Sequence, residues 1–170
     1  MSRELQLLRH AKSAWDTTAP SDFERPLAKR GRHDAPGIGD WLRQEGLVPE
    51  LVISSPAARA KETAELVCEA MDFKKKHIQW ESAMYMAEEE DLLQVLADCE
   101  PKARSVMLIG HNPGMEDLMR YLLGDAVETP ADGKLLPTAT LARLEMPKDW
   151  EDLQPGCATL IAIRRPPKAV

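Results

Sequence analysis

Short runs of apolar residues alternate along this chain with longer stretches in which apolar residues recur every three or four positions. The short runs predict buried strands, and the longer stretches predict helices with one apolar face. The predicted strands cover residues 5–8, 51–53, 77–80, 105–109, 138–145 and 158–163. The predicted helices cover residues 33–46, 56–71, 88–98 and 114–123.

Strands that alternate with helices predict an α/β fold, a three-layer α/β/α sandwich around a mostly parallel sheet. Apolar and polar residues alternate within 138–145, which predicts a strand near an edge that runs antiparallel. Proline, glycine and charged residues in 11–32 predict a long loop, and 124–137 is predicted to run over the surface. The Ser-Ser-Pro sequence at 54–56 is predicted to cap and open the second helix. A chain of this length forms one core, so we expect a single domain over residues 1–170.

Composition and charge narrow the class of protein. The 44% hydrophobic and 29% charged residues are typical of a globular protein. A formal net charge of −6 disfavours broad binding to nucleic acid or to an anionic membrane surface. The chain has no apolar run of membrane-spanning length and no signal-peptide pattern. Cys68, Cys99 and Cys157 lack metal-binding spacing and are typical of reduced thiols. We therefore expect a cytoplasmic enzyme or binding domain without a metal site.

Cationic and imidazole side chains stand at the ends of three predicted strands. Arg9 and His10 follow the first strand, Arg59 lies near the first turn of the helix after the strand at 51–53, and His111 follows the strand at 105–109. Ligand sites of open α/β sheets form beyond the carboxyl ends of the strands, and helix N-termini attract anions. Arginine presents paired donors that match phosphate oxygens. These four residues therefore predict a phosphate-binding pocket.

A histidine among arginines is suited to attack phosphorus. The like charges nearby disfavour the protonated ring, and a neutral imidazole is a nucleophile that can form a covalent phosphohistidine. The arginines and the second histidine would stabilise negative charge on the phosphoryl oxygens. Water would then release phosphate from the intermediate. This scheme requires neither a metal ion nor another cofactor.

Four segments resemble the histidine phosphatase superfamily, whose fold is called phosphoglycerate mutase-like. They are LLRHAKSAWD (7–16), RPLAKRG (25–31), SSPAARAKETAE (54–65) and GHNPG (110–114), in the same order as in the small members of the family. Ala11 stands where the family usually has glycine after Arg-His. With this alanine and the Lys-Ser that follows, the opening motif is similar to that of the SixA-type phosphohistidine phosphatases.

The resemblance implies a role for each of the four residues. His10 matches the phosphorylated nucleophile, Arg9 and Arg59 match the arginines that bind the phosphoryl group, and His111 matches the second histidine of the site. We also consider Ser13 and Lys12 as possible donors to phosphate oxygens. Glu81, after the third predicted strand, is the nearest candidate for the general acid that mutase-like members supply.

Two positions depart from the mutase-like pattern. Asp16 stands where those relatives carry asparagine, and an unpaired carboxylate there would repel phosphate. We therefore expect Asp16 to neutralise a nearby base such as Lys12 or an arginine. Glu81 lacks the sequence context that the family's general acid usually has.

A site poor in general acid favours a leaving group that needs little protonation. Imidazole, whose conjugate acid has a pKa of about 6.5, is such a group, whereas an alkoxide is not. The sequence therefore predicts phosphohistidine on a partner protein as the substrate. Two alternatives remain open: a phosphatase of small phosphate esters or sugar phosphates, and a phosphate-binding module without turnover.

Overall fold

A six-stranded β-sheet with helices on both faces forms the structure, a computed structural model that describes residues 2–167. The strands are β1 (Arg3–Arg9), β2 (Leu51–Ser54), β3 (Gln79–Trp80), β4 (Ser105–Gly110), β5 (Leu141–Met146) and β6 (Thr159–Arg164). The α-helices are α1 (Lys29–Gln44), α2 (Ala58–Ala70), α3 (Glu89–Ala97) and α4 (Gly114–Leu123). Short 3₁₀ turns lie at Lys75–His77, Ser82–Met84 and Gly124–Ala126. Within residues 2–167, none of the helices combines the length and the apolar character needed to traverse a bilayer.

The order of strands across the sheet is β3-β2-β4-β1-β5-β6. The first four strands in this order pair in parallel, while β5 runs antiparallel to both β1 and β6. The predicted α/β/α sandwich with a mostly parallel sheet is therefore confirmed, and so is the antiparallel direction of the strand predicted at 138–145.

Each central strand contributes side chains to two cores, because neighbouring positions of a strand point to opposite faces of the sheet. Leu5 and Leu7 of β1 pack in the core with α3 and α4, whereas Leu8 packs in the core with α1 and α2. Helices cover both faces of the sheet, which explains why the central strands are apolar at consecutive positions.

The register of the parallel strands brings the residues that follow them to one edge of the sheet. Arg9, the last residue of β1, pairs with Gly110, the last residue of β4. His10 and His111 are the residues that directly follow β1 and β4, and the His10 N–H donates to the Gly110 carbonyl at 3.1 Å. Strand β2 ends at the same edge, at Ser54, on the other side of β4.

Helix α1 begins four residues before its predicted start. The charged segment 29–32 shows no apolar period, so its sequence carries no helical signal. Tertiary contacts determine the start instead. The Ala28 N–H donates to the Lys12 carbonyl at 2.8 Å, and Gly31 packs directly against the same carbonyl.

The predicted capping of α2 by serine is wrong. Ala57 occupies the N-cap position without a side-chain hydrogen bond, Ser54 ends β2, and the Ser55 hydroxyl faces a histidine across the sheet edge. Strand β3 is also shorter than predicted, because Lys75–His77 forms a 3₁₀ turn before it.

The connection after α4 runs over the surface only in part, so the prediction for 124–137 is wrong at its C-terminal end. Leu135 and Leu136 are buried in the core beneath α3 and α4. The Leu136 N–H donates to Glu116 Oε2 of α4 at 2.9 Å, which joins this end of the connection to the helix.

The close packing of α1 on α2 depends on Gly39. A Cβ atom there would lie 2.2 Å from the Val67 carbonyl oxygen, whereas a Cβ at Gly37 would meet nothing within 4 Å. We expect Gly39→Ala to lower the free energy of unfolding by about 1–3 kcal/mol through overpacking. Gly37→Ala, two positions away, should raise it by about 0.5–1 kcal/mol through helix propensity. Urea unfolding measures both changes, and equal losses of stability in the two variants would contradict this packing.

Candidate active site

The structure brings the four predicted residues together at the carboxyl edge of the sheet. Arg9 ends β1, His10 follows it, Arg59 lies in the first turn of α2, and His111 follows β4. The ring centroids of the two histidines are 5.1 Å apart, with an angle of 54° between the planes. Both arginines are close enough for their charges to act on both imidazoles.

His10 is held in one tautomer by the backbone of the following residue, Ala11. Its side chain is buried, with only 6% of the residue exposed, and Nδ1 lies 2.7 Å from the Ala11 carbonyl oxygen. A carbonyl oxygen can only accept, so Nδ1 carries the hydrogen and donates it. The neutral ring therefore keeps its lone pair on Nε2, the nitrogen that is free to react.

The environment of the two histidines favours their neutral forms. Burial lowers the pKa of His10 to about 3, with further lowering by His111, Arg59 and Arg9 against the opposing hydrogen bond to Ala11. Burial likewise lowers the pKa of His111 to about 4, with the charge of Arg59 as the next cause. Desolvation and like charge both disfavour an imidazolium, so the two rings are neutral at neutral pH.

Ser55 orients the ring of His111. The Ser55 Oγ atom lies 2.8 Å from His111 Nε2 and accepts the Ala57 N–H at 3.2 Å. The hydroxyl can donate its own hydrogen to Nε2, and in that arrangement the ring hydrogen of His111 is on Nδ1. Because His111 Nδ1 is buried without a partner in the described structure, this N–H is available to an acceptor in the site.

Three buried nitrogens of the site lack hydrogen-bond partners among the described residues. They are Arg9 Nε, Arg59 Nε and His111 Nδ1. A buried donor without an acceptor costs free energy, and such groups are rare in folded proteins. Three of them around one histidine form an arrangement suited to an anion with several acceptor oxygens.

A carboxylate that the sequence reasoning missed, Asp22, connects the arginines. Arg59 donates from NH1 to the Asp22 backbone carbonyl at 2.8 Å and from NH2 to Oδ2 at 3.1 Å. Arg25 Nε donates to Oδ1 at 3.1 Å, and the Tyr85 hydroxyl donates to Oδ2 at 2.7 Å. The hydrogen bond from Tyr85, followed by those from the arginines, lowers the pKa of Asp22 to about 2 despite some desolvation.

Aromatic side chains border this end of the site. Tyr85 packs edge-on against His111 with ring centroids 5.6 Å apart, and Phe23 packs edge-on against Tyr85 at 5.0 Å. The guanidinium of Arg25 stacks over Trp15 at 3.6 Å from the ring centroid. Tyr85 lies in a stretch without clear periodicity, so its position beside His111 had no signal in the sequence pattern.

The connection after α4 holds the guanidinium of Arg9. Its NH1 donates to the Leu136 carbonyl at 3.4 Å, and the same carbonyl accepts Asn112 Nδ2 at 2.8 Å. Glu116 Oε2 accepts both Asn112 Nδ2 and the Leu136 N–H. Burial lowers the pKa of Arg9, while the nearby charge of Glu116 favours the protonated guanidinium.

One buried hydroxyl joins α2 to the turn after β1. Thr63 Oγ1 donates to the Arg59 carbonyl at 2.7 Å and accepts the Ala11 N–H at 3.0 Å. Ala11 is also the residue whose carbonyl holds the His10 ring. The backbones of Arg59 and of the residue beside His10 are therefore linked through a single oxygen atom.

The remaining candidates from the sequence, Ser13, Lys12 and Glu81, lie in three different environments. Ser13 is buried and its Oγ accepts Arg25 NH1 at 3.0 Å, next to the arginine cluster. Lys12 is exposed. Glu81 follows β3, and its carboxylate accepts the Ala83 N–H at 3.2 Å within its own turn.

Asp16 does not neutralise a base as predicted, because its exposed carboxylate forms no ion pair within residues 2–167. The carboxylate that pairs with arginines is Asp22, six positions further along the loop. Within the same described residues, no group of three or more His, Cys, Asp or Glu side chains is arranged to hold a metal ion.

Comparison with known proteins gives a family match. A family model described as the histidine phosphatase superfamily (branch 1) matches residues 5–84, a span that includes Arg9, His10 and Arg59. An uncharacterised chloroplastic protein of Arabidopsis thaliana is 30% identical over 161 residues, which cover 89% of this chain and 71% of that protein.

Solved structures match over nearly the full length. A protein of Agrobacterium tumefaciens, assigned provisionally as the phosphohistidine phosphatase SixA, is 31% identical with a TM-score of 0.82, and the match covers 98% of this chain and 99% of that one. A Nakamurella protein with the same provisional assignment has the same fold, with a TM-score of 0.81 at 24% identity over 98% of this chain and 97% of that one. On this sequence and structural similarity, the chain belongs to the histidine phosphatase superfamily.

Proposed function

We propose that this protein is a phosphatase that forms a covalent intermediate on His10 and removes the phosphoryl group from phosphohistidine on a partner protein. The observation that carries the proposal is the state of the His10 ring, which is buried, neutral and unprotonated at Nε2. The partnerless donors of Arg9, Arg59 and His111 support the same role, because a phosphoryl group offers them acceptor oxygens.

In the first step, the Nε2 lone pair of His10 forms a bond to phosphorus while the bond between phosphorus and the substrate nitrogen breaks. The substrate ring carries a proton on its other nitrogen, so that the electron pair of the broken bond leaves with a neutral imidazole. His10 becomes a phosphorylated imidazolium whose Nδ1–H stays bonded to the Ala11 carbonyl. Donors from Arg9, Arg59 and His111 stabilise the charge on the phosphoryl oxygens.

In the second step, water attacks phosphorus and the bond from His10 Nε2 to phosphorus breaks. The electron pair returns to Nε2, and one proton of the water ends on the released phosphate or in solvent. The ring is regenerated in its neutral form. Because arginine and histidine side chains supply all the donors, neither step requires a metal ion or another cofactor.

The supply of protons favours imidazole as the leaving group. Asp22 is ionised at neutral pH, since its pKa is about 2, and the Glu81 carboxylate is bonded within its own turn. An alkoxide leaving group would need a proton donor, whereas imidazole has a conjugate acid of pKa about 6.5. The name of the similar Agrobacterium protein, a phosphohistidine phosphatase, supports the same substrate class.

Replacement of His10 tests the covalent route. We expect His10→Ala to lower the turnover of a protein that has been chemically phosphorylated on histidine by at least about a thousandfold, because the nucleophile is lost. Brief incubation with 32P-labelled substrate should leave acid-labile label on the wild type and none on His10→Ala. His33→Ala, which removes an exposed histidine of α1, serves as the matched control and should retain activity.

Two outcomes would contradict the proposal. Undiminished turnover by His10→Ala would exclude the covalent route. Faster hydrolysis of p-nitrophenyl phosphate or a sugar phosphate than of any phosphohistidine protein would favour the small-ester alternative.

The protonation of the two histidines gives a second prediction. Because burial and positive neighbours lower the pKa of His10 to about 3 and of His111 to about 4, we expect both rings to stay neutral as the pH falls from 7 to about 5. An exposed histidine ring, by contrast, gains its proton at about pH 6.5. NMR titration of the ring carbons measures the midpoints, with assignments from His10→Ala and His111→Ala. A His10 midpoint above pH 6 would contradict the neutral nucleophile.

A further inference from the structure

Asp22 places a negative charge at the open side of an otherwise cationic site. About half of its side chain is exposed, whereas the side chain of its partner Arg59 is only 9% exposed. Donors from Arg59, Arg25 and Tyr85 fix the carboxylate in place. Its charge also acts on the ring of His111, where it opposes the lowering of the pKa by the arginines.

The geometry of Arg59 lets this carboxylate remain in place while a phosphoryl group binds. Asp22 accepts hydrogen bonds from NH1 and NH2, the two terminal nitrogens of the guanidinium. The Nε–H lies on a different edge, which it shares with the second hydrogen of NH2, and Nε is buried without a partner in the described structure. A phosphoryl group can therefore bind along that edge without displacing Asp22.

The direction of attack determines which part of the substrate meets Asp22. His10 is almost fully buried, so it approaches phosphorus from inside the protein. Phosphoryl transfer places the entering and leaving atoms roughly in line, on opposite sides of phosphorus. The leaving group must then lie on the open side, where the Asp22 carboxylate is exposed.

We propose that Asp22 is a specificity-determining residue that selects the leaving group by charge. Its carboxylate favours a group that is cationic while still bonded to phosphorus, as a protonated phosphohistidine ring is, and disfavours a group that carries its own carboxylate. This inference rests on the proposed function of His10 and extends it to the rest of the substrate. A fixed charge near a protein surface changes binding or a barrier by an amount that corresponds to about tenfold.

Substitution of Asp22 by asparagine tests the selection. It removes the charge but keeps the size of the side chain, because an amide nitrogen replaces one carboxylate oxygen. The first readout is the dissociation constant of 3-phosphoglycerate divided by that of inorganic phosphate, both measured by isothermal titration calorimetry. We expect this ratio to fall about tenfold in Asp22→Asn, since the repulsion of the ligand's carboxylate is lost. The second readout is kcat/KM for a phosphohistidine peptide, which should fall about tenfold. Asp16→Asn changes an exposed carboxylate of the same loop that forms no ion pair with the other described residues, and it should leave both readouts unchanged.

A role limited to holding Arg59 would give a different result. Asp22→Asn would then weaken phosphate and 3-phosphoglycerate by the same factor, and the unchanged ratio would overturn the proposal. An equal change in Asp16→Asn would overturn it as well, because the effect would then come from the overall charge of the loop. The ratio of dissociation constants needs no turnover, so it tests Asp22 even if the wild-type protein fails to hydrolyse phosphohistidine. That failure would count against the proposed function alone.

Discussion

The parallel pairing of β1 with β4 is the constraint on which the site depends. The register places Arg9 opposite Gly110, so that His10 and His111 leave the sheet side by side with their rings 5.1 Å apart. Helices cover both faces of this strand pair, and their packing fixes the register because a slip by one residue would exchange the two cores. The chemistry at the sheet edge is thus set by apolar contacts along the strands.

Two arginines give the site its positive charge, and a carboxylate lies near each of them. Asp22 accepts hydrogen bonds from Arg59, and Glu116 lies near Arg9 through its contacts with Asn112 and the Leu136 backbone. The Asp22 carboxylate bonds one terminal nitrogen of Arg59, and the Glu116 carboxylate acts on Arg9 through its charge. The Nε atoms of both guanidiniums stay without partners in the described structure. Buried donors without acceptors lower the stability of the folded protein. Such a loss of stability is common where a site must bind an ion.

The sequence predicted the parts of this molecule whose signals are local. Apolar runs and helical spacing indicated the layers of the sandwich, and the residues directly after the predicted strands, Arg9, His10 and His111, indicated the sheet edge at which the candidate residues meet. Asp22 and Tyr85 could not be found in this way, because they meet only when a long loop folds back onto a segment more than sixty residues away. The prediction that serine caps α2 was wrong for a similar reason. The Ser55 hydroxyl has a tertiary partner, His111, which competes with the helix end for this hydroxyl.

Thr63 has a consequence for how the site moves. Its hydroxyl bonds the backbone at Arg59 and at Ala11 simultaneously, and Ala11 in turn fixes the His10 ring. The arginine that would bind the phosphoryl group and the histidine that would attack it are therefore connected through a single side chain. Because Asp22 of the long loop is bonded to Arg59 as well, a displacement of that loop would act on Arg59 directly and on His10 only through the hydroxyl of Thr63.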